Sequence, residues 1–186
     1  ATTATTPPPQ PTLFHGTLPR THFTPNTFQS LLLQHAYYVS EHNTAACRYL
    51  LFCHRQLGTF LINRASTMVK VDLNLPVAAF TTEGSRSGSG GRQHCTLLDG
   101  ELAYQTLAGG RTDELIYFIT DAIRIDGQDV HRLPYNERLA AVHARVLSPR
   151  KACTQPTMQA KLRKEKIRMK MKPIHHISEC PHLLRL

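Results

Sequence analysis

What this sequence has little of excludes several classes of protein. Its five cysteines, Cys47, Cys53, Cys95, Cys153 and Cys180, are odd in number and form no C-x-x-C pair. That spacing argues against a zinc ribbon and a disulfide framework, and it points to a reducing intracellular compartment. No apolar run approaches the roughly 20 residues that a helix needs to span a bilayer, so no membrane segment is expected. The opening A-T-T-A-T-T-P-P-P-Q-P-T carries neither a basic region nor an apolar stretch, which excludes a secretory signal. No Met stands at position 1, so the chain reads as processed or as a piece of a longer one. No Ser/His/Asp grouping or helical zinc motif occurs, and the Gly cluster at 84–91 lacks the G-K-[ST] ending of a phosphate-binding loop.

Acidic residues are also scarce, 13 against 22 Lys and Arg, for a net charge of +9. The imbalance is local: residues 151–186 hold nine Lys/Arg and two Asp/Glu, a net +7 of that total. A polyanionic partner for this segment and a solvated basic tail both account for it. With 41% hydrophobic and 19% charged residues over 186 positions, the composition is that of one soluble domain with tails.

Residues 1–17 are Thr/Pro-rich with little to bury, and are expected to be disordered. Thr24-Pro25-Asn26 supplies a cap and a first-turn Pro for a short helix carrying Phe28, Leu31, Leu32 and His35. Four strand-like runs follow at Tyr37–Glu41, Arg48–His54, Thr59–Arg64 and Met68–Leu73, spaced as in an antiparallel meander. The Gly/Ser stretch 81–93 reads as a mobile loop. Strands are expected around Thr96–Leu98, Glu101–Thr106 and Leu115–Ile125, the last closing on an Asp126-Gly127 turn. Leu139, Val142 and Val146 make an apolar helical stripe that ends at Pro149. Residues 151–166 read as a basic linker. Ile167-Arg-Met-Lys-Met-Lys172 alternates strictly, as a half-buried strand with a basic outer face should.

Several of these segments carry a recognisable pattern. Phe60-Leu-Ile-Asn-Arg64, Leu97-Leu-Asp-Gly-Glu-Leu102, Ile119-Thr-Asp-Ala-Ile-Arg-Ile-Asp-Gly-Gln128, Pro134-Tyr-Asn-Glu-Arg-Leu139 and Ser148-Pro-Arg150 resemble, in order and spacing, the F-L-I-D-R, L-L-D-G-E-L, Y-D-A-x-x-I-N-G, P-x-x-E-R-L and E-P-R segments of the mRNA capping guanylyltransferases, which are covalent nucleotidyltransferases. The likeness extends over roughly residues 18–175. It implies an α+β, antiparallel-sheet nucleotidyltransferase fold of the adenylation-domain type, here incomplete at 18–186 and without the C-terminal OB domain.

The family joins GMP from GTP to a lysine and passes it to a 5′-diphosphate RNA end. By resemblance, Arg48 and Arg64 contact ribose or phosphate, for which a planar guanidinium fork is suited. Glu101 holds Mg²⁺ or Mn²⁺, Asp99 shapes the turn beside it, and Asp121 matches the family's Asp on the next strand. Read without the resemblance, strand arginines are half-buried surface residues and Asp99-Gly100 is a hairpin turn. The basic strand face at Arg168, Lys170 and Lys172 is a candidate RNA contact. His175, His176 and His182 lack partners at metal-ligand spacing and read as surface or interface residues.

The chain departs from the family at the nucleophile. Where K-x-D-G-x-R is expected, it has Glu41-His-Asn-Thr-Ala-Ala-Cys-Arg48, and no lysine occurs before Lys70. The slot falls at His42 or Asn43. The aromatic residue that stacks on guanine is replaced by Thr120, and Tyr117, three positions earlier, faces the opposite side of its strand. The sequence ends before the family's E-G-L-I-F and K-W-K strands. Three readings stand: a guanylyltransferase fragment or divergent copy that is inactive alone; a catalytically silent module of the same fold that binds a nucleotide, an RNA or a partner such as a capping-complex protein or a polymerase; and an ATP-dependent ligase relative, which the L-L-D-G-E-L context disfavours. The resemblance implies a nuclear location.

Overall fold

The computed structural model describes Thr24 and residues 37–41, 46–76, 94–107 and 111–179. The expected tail at 1–17, the helix through His35, the slot at His42 and Asn43, the loop 81–93, Cys180 and His182 all lie outside the described residues.

The main sheet follows from the strand-like runs. Strands β2 (Cys47–His54), β3 (Gly58–Ile62) and β4 (Met68–Val71) form an antiparallel meander. On the other side of β2 lies β5 (Cys95–Leu107), then β6 (Arg111–Ile125), then the short β7 (Gln128–Asp129). The final strand of this sheet, β8 (Ile167–Met171), runs parallel to β6 and pairs Leu115 with Ile167 and Ile119 with Met171. A separate ribbon pairs β1 (Tyr38–Val39) with β9 (His175–His176).

Two runs read as separate strands, Thr96–Leu98 and Glu101–Thr106, are one continuous strand, β5. Asp99-Gly100 is therefore not a turn. Both residues sit mid-strand, opposite Leu50 and Tyr49 of β2. Gly is required here because a Cβ on Gly100 would lie 2.5 Å from the Phe118 carbonyl oxygen and 2.6 Å from Cζ of Tyr117. The Tyr117 ring crosses over this glycine, and its hydroxyl donates to the carbonyls of Tyr49 (2.9 Å) and Leu98 (3.2 Å).

Period-2 alternation sends Leu51, Cys53, Leu61, Leu98, Tyr117 and Ile119 to one face of the sheet, where all are buried. That face is covered by α1 (Tyr135–Val142), which continues through a π-helical turn (His143–Leu147) into α2 (Ser148–Ala152). Val142 and Val146 of the expected apolar stripe join the core together with Leu147, while Leu139 is half-buried. The segment read as a basic linker holds a helix, α3 (Pro156–Lys164), with Pro at its first turn and Met158 buried. Two apolar positions four apart, Met158 and Leu162, suffice to seat a short helix whose other residues are polar.

Glu165 fixes the end of α3. Its carboxylate accepts from the Asn74 backbone N–H (2.7 Å), the Asn74 side-chain amide (3.0 Å) and the Arg150 guanidinium (2.5 Å). Arg150 also donates to the Asn74 carbonyl. The Ser148-Pro-Arg150 segment thus ties α2, α3 and the chain after β4 together, and the Glu165 side chain is fully buried.

Candidate functional site

The opposite face of the sheet carries charge. Arg48 on β2 stands opposite Glu101 on β5, and Asp99 stands opposite Asp121 on β6. A register shift makes this arrangement: Asp99 pairs with Asp121 while the next residue, Gly100, pairs with Ile119, so Thr120 bulges from β6. The Thr120 hydroxyl donates to the Asp99 carbonyl at 3.1 Å.

Two buried carboxylates directly opposite each other repel, and each is neutralised by its own arginine. Arg48 grips Asp99 through both Nε (2.9 Å) and Nη2. Arg138, on α1, grips Asp121 in the same bidentate way, at 2.7 and 2.8 Å. The Asp99 and Asp121 side chains are essentially buried. The hydrogen bond to Asp99 raises the Arg48 pKa against the lowering effect of burial, and Asp121 does the same for Arg138. At the end of the row, Lys172 pairs with Glu101, closing a set of three ion pairs with no net charge.

Four of the residues named from the sequence, Arg48, Asp99, Glu101 and Asp121, therefore share one row. Arg64 does not join their ion pairs. It follows β3 in the Asn63–Thr67 turn and is exposed. The basic strand face divides. Arg168 and Lys170 are exposed as expected, but Lys172 is buried and belongs to Glu101. The reason is positional: the backbone N–H of Lys172 bonds to the Ile119 carbonyl just past β8, and this directs its side chain across β6 to β5.

Tyr117 lies in the core on the other face, away from the row. An aromatic residue does border the row, and sequence reasoning missed it. Tyr135, at the start of α1, donates its hydroxyl to the Thr120 carbonyl at 2.9 Å. Its ring meets Tyr38 at 5.7 Å and lies 5.3 Å from the Arg138 guanidinium. The P-x-x-E-R-L resemblance contains both Tyr135 and Arg138, but their roles depend on how the helix docks.

Burial, followed by the Asp121 charge, pushes the Tyr135 phenol up to about 12, and burial holds Tyr117 well above its ordinary value. A folded-state pKa above the unfolded one gives stability that is complete below pH ~10 and is lost as pH rises toward the folded value. In an absorbance titration these two tyrosines should ionise last, together with alkaline unfolding. Tyr135→Phe should flatten the fall of the urea midpoint between pH ~10 and about 12.

The model of the mRNA capping enzyme catalytic domain matches residues 14–185 of this chain. The chain belongs to that family. A search of curated proteins finds no match. The capping enzyme fold class is borne out at the level of a mixed α+β chain dominated by antiparallel pairing. Capping enzymes use GTP and a divalent metal and bind an RNA 5′ end in a nuclear process. Among the described residues no helix is long and apolar enough to cross a membrane.

Mg²⁺ binds through one or two carboxylates together with substrate phosphates. In this capping-enzyme chain the carboxylates of the row are each held by a cation of the protein. Among the described residues no three His, Cys, Asp or Glu side chains are grouped to hold a metal. Glu101, the carboxylate that the resemblance directs to a divalent ion, is paired with Lys172. His175 and His176 are occupied with Glu179 (3.2 Å) and Ser178 (2.8 Å).

Proposed function

We propose that this chain is a guanylyltransferase-like capping domain that binds a guanine nucleotide and an RNA 5′ end without forming an enzyme–GMP adduct by itself. The observation that carries this reading is the self-neutralised row. Arg48 and Glu101, the groups the family directs to nucleotide and metal, are each spent on a partner inside the protein. The nucleophile slot adds to it. The family forms its phosphoamide on a lysine amine, whereas the slot here offers His42, whose imidazole nitrogen is the one group there able to attack the α-phosphorus, or Asn43, whose amide nitrogen has no free lone pair. The described sheet is read as the nucleotidyltransferase scaffold, with Tyr135 and Tyr38 as aromatic surfaces beside the row and Arg64, exposed in the turn after β3, as a phosphate contact. The same reading places the protein in the nucleus with a capping-complex or polymerase partner.

Incubation with radiolabelled GTP and Mg²⁺, followed by denaturing electrophoresis, should give no labelled band. Calorimetry should show GTP binding that weakens at least tenfold in Arg64→Ala, the expected loss of one charge-assisted phosphate contact of about 1.5–3 kcal/mol. The same binding should survive EDTA, because Glu101 is committed to Lys172. A labelled band that disappears in His42→Ala would overturn the silent reading.

A further inference from the structure

The charge concentrated from residue 150 onward is not evenly free. Arg150 is consumed by Glu165, Arg168 and Lys170 face Glu114 at 3.0 and 3.9 Å, and Lys172 is consumed by Glu101. Among the described residues Lys151 remains on α2, and four more, Lys161, Arg163, Lys164 and Lys166, on α3 and the residue pair that joins it to β8. All four are exposed, and among the described residues none forms an ion pair with a carboxylate. The one acid in this stretch, Glu165, is buried.

Nothing in the fold needs so many cations here. The helix dipole favours basic residues in the last turn by about 0.3–1 kcal/mol, but like charges three or four positions apart repel by a few tenths each. The α3 surface also lacks what a protein interface would use. Protein contacts are depleted in Lys and are centred on aromatic and apolar anchors. On α3 the apolar residues are turned inward: Met158 is buried and Leu162 half-buried, and the helix holds no aromatic side chain. A cluster of exposed ammonium and guanidinium groups with no stacking or apolar anchor matches a phosphate backbone, read by charge alone.

We infer that α3 and Lys166 form a track for the phosphate backbone of single-stranded RNA, and that this track, more than the strand face at Arg168 and Lys170, carries the chain's RNA affinity. The inference rests on the capping reading only in naming RNA as the polyanion. Helix α3 holds no aromatic side chain to stack on bases, and contacts from lysine and arginine to phosphate do not depend on a 2′-hydroxyl, so the track should bind oligouridylate and oligothymidylate equally.

The test is fluorescence anisotropy of the full chain with labelled oligouridylate over a range of salt. Each phosphate contact to a single strand contributes about 0.7 to the slope of log K against log salt. The variant K161Q/R163Q/K164Q/K166Q should flatten the slope by roughly 2.8, and the outward double variant K161Q/K164Q by about 1.4. K70Q, on the far edge strand β4, should leave it unchanged. A thermal melt matching the parent shows that each variant is folded, and the double variant serves if the quadruple is not. An unchanged slope in the folded variants overturns the track. Equal competition by oligoglutamate overturns its assignment to RNA. GTP binding measured on the same samples separates the two readings: its absence with the slope change intact sinks the capping reading alone.

Discussion

Gly100→Ala should cost about 3 kcal/mol or more, the upper end of what overpacking a core exacts, out of a total stability of roughly 5–15 kcal/mol for a domain. Its Cβ would meet Phe118 O at 2.5 Å and Tyr117 Cζ at 2.6 Å. Neither neighbour yields readily. The carbonyl belongs to a strand paired across β5, and the ring is tethered by two hydrogen bonds through its hydroxyl. Thermal melts should therefore show a fall of many degrees, or no soluble protein. Adding Tyr117→Leu to Gly100→Ala removes the ring contact but not the carbonyl contact, so it should restore only part of the loss. A Gly100→Ala protein that melts within a degree or two of the parent would show that the close approach is not real.

Glu165→Ala is expected to be comparably damaging, by about 3–5 kcal/mol, the range for removing one partner of a buried ion pair. The loss is compound. Arg150, whose side chain is 12% exposed, keeps its charge with little access to water, and the Asn74 N–H groups lose their acceptor. Glu165→Gln keeps an acceptor oxygen for Asn74 but removes the charge and puts an N–H donor in place of the oxygen that accepts from Arg150, so its cost should be smaller, near the 1.5–3 kcal/mol of a hydrogen bond to a charged group. Replacing both partners with apolar residues of similar volume, R150M/E165L, should recover most of the loss, since what is expensive is a stranded charge rather than a missing bridge. Urea denaturation of the parent, R150M, E165L and R150M/E165L tests this as a double-mutant cycle, with Glu165→Ala and Glu165→Gln measured beside it. A Glu165→Ala cost below about 1 kcal/mol would remove the cluster from the list of what holds α2, α3 and the chain after β4 together.

Local pattern made much of the fold readable and left out what depends on distance along the chain. The alternation of Ile167 to Met171 is reproduced residue by residue in the burial of β8, yet nothing in that alternation indicates that β8 runs parallel to β6. Asp99-Gly100 has the composition of a turn. Only the Tyr117 ring lying above it explains why glycine stands in a central strand. Helix α3 was hidden by its own charge, because five of its nine residues are polar or basic and its apolar stripe is two residues wide. At the site, Arg48, Asp99, Glu101 and Asp121 were identifiable because they come from strands whose motifs are local. Their partners were not. Arg138 and Lys172 reach the row from a helix and a strand end far along the chain, and it is these two that change its meaning from open ligand groups to a neutral, self-paired set.

The β1–β9 ribbon has a consequence for synthesis. Tyr38 leaves the ribosome long before its strand partner His176, so the first described strand must wait, unpaired, while almost the whole domain emerges. Released chains that end before residue 175 should leave β1 sensitive to protease, and during synthesis the ribbon should lock only after His176 has cleared the ribosome.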